Sequence, residues 1–86
     1  MSVTAIRLTP RLVRAARAMV GWQQQELAEA SGVPKPTISA FELKPEAGRL
    51  MGANMQLLIA AFERAGLEFI PENGGGAGIR FRERKA

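Results

Sequence analysis

Cysteine, histidine, tyrosine and aspartate are all missing from these 86 residues, and tryptophan occurs once. Without cysteine there is no disulfide framework, no thiolate nucleophile and no cysteine zinc site, which fits a reducing cytoplasm. With histidine, aspartate and tyrosine gone too, the acid–base repertoire shrinks to eight glutamates plus lysine, and most nucleophile–base pairs cannot be built. Neither an enzyme, nor a metal site, nor a cofactor is expected. Met1 to Arg11 lacks the roughly 7–15-residue apolar core of a signal peptide, and no run of about 18 apolar residues occurs. The expectation is a soluble, cytoplasmic chain with no membrane partner.

What is present is enough for one core. Hydrophobic residues make up 47% and charged residues 23%, too apolar for a disordered chain and too short for two independent cores. The net charge is +4, which favours a polyanionic partner, nucleic acid ahead of an anionic membrane. That charge is unevenly spread. Arg7, Arg11, Arg14 and Arg17 face no acid in residues 1–20, whereas residues 21–48 set Lys35 and Lys44 against four glutamates.

Thr9 before Pro10 reads as an N-cap followed by proline at the first helical position, and Gly21 is the stop, which predicts helix one over Pro10 to Val20. At about 100° per residue Leu12, Val13, Ala16, Met19 and Val20 share its inner face, Arg11 and Arg14 point away, and Arg17 falls on the boundary. Helix two is expected over Gln23 to Ala30, with Leu27 and Ala28 inward and Ser31-Gly32 as the turn. Helix three follows over about Lys35 to Leu43, its prolines Pro34 and Pro36 tolerated at the first turn and Ile38 and Phe41 inward. After an irregular stretch through Gly52, helix four is expected over Asn54 to Ala65, with Met55, Leu58, Ile59 and Phe62 inward and Gly66 ending it.

Then the period changes. Leu67 to Ile70 and Ile79 to Arg82 alternate apolar and polar around a glycine-rich loop, which predicts a hairpin. A lone two-stranded ribbon is marginal in water, so Phe69, Ile70, Ile79 and Phe81 need cover, from the helices or from a second subunit. Homodimerisation through this tail is the expectation.

Two short helices joined by a glycine turn form a helix-turn-helix, here over about residues 24–43. Gln24, Leu27, Ala28, Gly32, Val33, Ile38, Ser39 and Glu42 closely resemble, in type and spacing, the signature of the Cro/cI-type (XRE) repressors. The resemblance implies a mainly α, four-helix, lambda-repressor-like domain over residues 1–66, with the hairpin of residues 67–86 appended. It implies helix three in the major groove of double-stranded DNA, with Lys35, Pro36, Thr37, Ser39 and Ala40 facing bases. Gln24 would bond a phosphate, Gln23 less strongly, and Lys44, Arg11 and Arg14 are further candidates for the DNA backbone. It also implies an ion pair between Arg17 and Glu42 that ties helix one to the end of helix three. The two prolines of helix three depart from the polar residues usual in that stretch.

Other features have plainer readings. Trp22 is expected to anchor on helix one rather than stack on bases, and Glu26 and Glu29 are surface charges with no nucleophile or metal partner nearby. The Gly74 to Gly78 loop lacks the ending of a P-loop and is a turn, and the methionines fill the core. Arg80, Arg82, Arg84 and Lys85 either protect an edge strand or form an arm on the DNA backbone. The expected function is a nucleoid-associated, homodimeric repressor or autoregulator on an inverted-repeat operator. The alternatives are an antitoxin whose tail grips a toxin, and a protein-interaction module that binds another regulator without reading DNA.

Overall fold

The computed structural model of the chain describes residues 6–46, 48–50 and 52–83. Four helices come first, α1 (Pro10–Val20), α2 (Gln24–Ser31), α3 (Lys35–Glu42) and α4 (Gly52–Arg64), then strands β1 (Leu67–Ile70) and β2 (Gly78–Phe81). No described helix is long and apolar enough to cross a membrane.

Local chemistry sets the helix ends. The Thr9 hydroxyl accepts the Leu12 amide at 3.1 Å and Pro10 fills the first helical position, so α1 starts where its cap dictates. At α2 the Glu26 carboxylate reaches back to accept the Gln23 amide at 2.7 Å, a reciprocal use of the first turn. That makes Gln23 the cap, and α2 therefore runs one residue later than expected at both ends. The turn to α3 depends on Gly32 at φ 80°, with its N–H donating to the Ala28 carbonyl at 2.9 Å. Ser31 is buried in that turn, and its Oγ accepts the Val33 amide at 3.1 Å. Helix α4 begins two residues before the expected Asn54, at Gly52.

The core is a single cluster. Val13 and Ala16 of α1, Leu27 of α2, Ile38 and Phe41 of α3, and Leu58, Ile59, Ala61 and Phe62 of α4 are all buried in it. Leu12, Met19, Val20 and Met55 pack on it only half-buried, whereas Leu8, in the irregular segment before α1, is fully buried. Met1 and Met51 lie outside the described residues.

The strands pair antiparallel with Leu67 opposite Phe81 and Phe69 opposite Ile79. Opposed side chains share a face, so these four form the inner face of the hairpin, while Glu68 and Arg80 meet on the outer one at 3.2 Å. Leu67 and Phe69 are buried in the same cluster as the helices. The hairpin thus completes the helical core, and Phe69, 4% exposed, is enclosed by its own chain. Ile70 and Ile79 are half-buried and Phe81 is 37% exposed.

Trp22 follows directly on α1, where its amide donates to the Arg17 carbonyl at 2.9 Å. Its ring stacks on Phe62 of α4 at 5.7 Å, and Phe62 meets Phe69 of β1 edge-on at 6.0 Å. The three rings form a column joining the helix-turn-helix to the hairpin, with an attraction beyond simple burial.

Candidate nucleic-acid interface

Helix α3 is held from behind by α1 and α2 and turns its other side outward. Ile38 and Phe41 anchor it in the core, Lys35, Pro36 and Ala40 are exposed, and Thr37 and Ser39 are half-buried at the margin. All five expected base-facing residues therefore lie on the open side or its rim.

The start of α3 is short of donors. Pro34 and Pro36 have no N–H, and the Thr37 and Ile38 amides both donate to the Pro34 carbonyl, at 3.0 and 3.2 Å. Within residues 34–36 only Lys35 carries an amide hydrogen, so side chains, not the helix end, must make most contacts on this face.

The far end of α3 is locked. Glu42 is only 6% exposed, and its carboxylate accepts both Arg17 Nη2 at 2.7 Å and Arg17 Nε at 2.8 Å. Arg17 Nη1 donates to the Trp22 carbonyl at 3.1 Å, and Gln24 Nε2 donates to Glu42 Oε1 at 3.0 Å. The Glu42 hydrogen bond pushes the Arg17 guanidinium above its already high value, with charge attraction adding and burial opposing. Two-point arginine–carboxylate pairing fixes an orientation as well as a distance. The pair inferred from the resemblance is thus in place, and Gln24 is bound into it.

The remaining basic candidates divide. Arg14 Nη1 donates to the Glu42 backbone carbonyl at 2.6 Å, capping the C-terminal end of α3. Arg11 approaches Glu46 at 3.8 Å, and its backbone amide donates to the same carboxylate at 3.4 Å. Lys44 Nζ donates to the Arg49 carbonyl at 2.8 Å. In the tail, Arg82 Nη2 donates to the Glu63 carbonyl at 2.6 Å, whereas Arg84 and Lys85 lie outside the described residues.

One open groove runs beside α3. Pro36, Thr37 and Ala40 form its helix wall, and Lys44, Arg49, Leu50 and Asn54 line the opposite side. Arg49 escaped sequence reasoning because the stretch between α3 and α4 shows no period, and Asn54 because only the fold brings the start of α4 beside α3. Their only advance signal was a cation and an amide flanking an expected helix. Among the described residues no cluster of three or more potential metal ligands occurs.

A family profile described as helix-turn-helix, of the Cro/cI type, matches residues 13–64, more than half the chain, from within α1 to the end of α4. The chain belongs to this helix-turn-helix family. Its members are DNA-binding regulators, and α3 occupies the place of the recognition helix. No curated protein matches the chain.

Proposed function

We propose that this helix-turn-helix protein is a sequence-specific transcriptional regulator, a repressor or autoregulator, that binds an inverted-repeat operator as a homodimer. The observation that carries the reading is the contrast between the two sides of α3: Lys35, Pro36, Thr37, Ser39 and Ala40 face outward while Glu42 is held by Arg17 and Gln24 behind them. A reading helix fixed before it meets its ligand loses little conformational freedom on binding.

Lys35 donates to guanine or to a phosphate, and the Thr37 and Ser39 hydroxyls serve either partner. Gln24, oriented by Glu42, keeps its second amide hydrogen and its backbone N–H at the start of α2 for a phosphate, where the helix dipole favours an anion. Gln23, Lys44 and Arg11 supply charge or donors at the edges, and Arg14 contributes its charge while capping α3. A second copy would meet the hairpin at the margin of its inner face, where Phe81 is 37% exposed and Ile79 is half-buried, with Ile70 on the opposite face. Two recognition helices about a dimer axis reach major grooves about 34 Å apart, hence half-site centres about 10 base pairs apart.

Fluorescence anisotropy on the chain's own upstream region and on scrambled DNA, across a salt series with light scattering, tests this. A preference of about 10³-fold or more, falling steeply with salt, together with a dimer mass is expected. Equal weak binding to both duplexes would sink the proposal.

A further inference from the structure

The outward side of α3 carries two stripes of different chemistry. Lys35 and Ser39, four residues apart, form a polar one. Beside it Pro36, Ala40 and Leu43, at helical spacing i, i+4 and i+7, form an apolar one, and Leu43 at 85% is the most exposed large hydrophobic residue described. Seven residues of rise make this stripe about 10 Å long, which matches about three base steps of 3.4 Å.

The helix is poor in base-reading groups. Lys35 to Glu42 contains no arginine, asparagine or glutamine, so no two-point contact to adenine is available from it and guanine can be engaged only through the Lys35 ammonium. Its one carboxylate, Glu42, is engaged by Arg17 and Gln24 and cannot accept from cytosine. Among the base edges of the major groove the thymine C5-methyl is the one apolar group, and an apolar stripe complements it. Charge argues for DNA as the occupant: Lys35 lies on the adjacent stripe, and Lys44 and Arg49 line the groove whose other wall is Pro36, Thr37 and Ala40.

We propose that this chain reads thymine methyl groups, the Pro36 ring and the Ala40 Cβ each packing on a C5-methyl within a short A·T-rich run of each half-site. The inference rests on the DNA-binding reading above and specifies what that reading recognises.

The test uses the full chain. Duplexes enriched from a randomised pool are resynthesised with each thymine replaced singly by deoxyuridine, which removes the methyl and keeps the pairing. At each contacted position affinity is expected to fall about fourfold, the value of one buried methyl group. In Ala40→Ser one of these penalties should vanish while the other remains, and Pro36→Ser should show the reverse, each variant being checked for an unchanged melting temperature. Sequence-selective binding with no deoxyuridine penalty at any position overturns the thymine-methyl proposal and leaves the regulator reading standing. Failure to enrich any duplex overturns both, and the stripe is then a face for a protein partner.

Discussion

The Arg64 guanidinium donates to the Ala30 carbonyl at 2.8 Å, so a side chain at the end of α4 caps the C-terminal turn of α2. Arg14 does the same for α3 through the Glu42 carbonyl, and Arg82 for α4 through the Glu63 carbonyl. Helix C-termini leave unpaired carbonyls and a partial negative charge, which arginine satisfies from a neighbouring element. Much of the basic surplus is therefore engaged within the fold.

The first prediction follows from that division. Arg49→Ala and Lys35→Ala, at the groove and the outward face of α3, should each flatten the slope of log K against log salt by about one unit if they neutralise a phosphate. Arg82→Ala should leave the slope unchanged and lower the melting temperature instead. A flattened slope in Arg82→Ala with no loss of stability would place that residue on DNA and not on the helix end.

Removing one partner of the Arg17–Glu42 pair strands the other where water cannot reach it well. Arg17→Ala or Glu42→Ala should cost about 3 kcal/mol or more, a fall of about 12–24 °C in Tm for a domain of this size. Arg17→Lys should recover little, because an ammonium cannot reproduce the two-point contact. The paired replacement Arg17→Met with Glu42→Leu should recover most of the stability. Thermal unfolding followed by circular dichroism measures all four. A loss below about 1 kcal/mol in the single variants would class the pair with ordinary surface bridges.

Gly32 takes φ 80°, and a Cβ there would meet no atom within 4 Å. The cost of Gly32→Ala is thus conformational alone, about 1–2 kcal/mol, with Gly32→Asn milder because asparagine tolerates the left-handed region. Urea denaturation should show a lower midpoint with an unchanged slope. An unaltered midpoint would mean that the turn between α2 and α3 accommodates a different backbone.

Much of this fold was legible because its signals are local. Thr9-Pro10 and Gly21 bracket α1 to the residue, and the signature from Gln24 to Glu42 located both helices of the motif and its ion pair. What was not legible depends on tertiary placement. Leu8 is buried without belonging to any periodic segment, and the partner of Trp22 is set by which helix crosses it, here α4. The arginine caps escaped for a related reason: a backbone carbonyl at a helix end carries no residue type to recognise. The groove wall was hidden at Arg49 by an irregular stretch and at Asn54 because only the fold sets the start of α4 beside α3.

Stability should respond to acid through Glu46. The Thr9 hydroxyl, donating to it, holds this carboxyl below its ordinary value of 4.5; burial opposes, and the Arg11 amide and the Arg11 and Arg14 charges assist. A carboxyl depressed in the folded state contributes its stability above the unfolded value and loses it as pH falls through the lower folded one. The Tm difference between the parent chain and Glu46→Gln should therefore be constant above pH 5 and shrink below 4.5. Arg17, whose value is raised, contributes no slope in this range because it stays charged throughout. A difference that grows on acidification would reverse the sign and place Glu46 near repelling charge.

The hairpin separates folding from association. Phe69 sits in the aromatic column with Phe62, so Phe69→Ala should cost about 3–5 kcal/mol and unfold much of the population. Phe81 lies on the same inner face opposite Leu67 yet is 37% exposed, at the margin of the shared core. Phe81→Glu should therefore alter Tm far less than Phe69→Ala while shifting the light-scattering mass from dimer to monomer. If the two strands serve only to close the core, Phe81→Glu will leave the mass unchanged at every concentration. A second copy must then meet this chain elsewhere, and the half-site spacing of about 10 base pairs becomes a property of another interface.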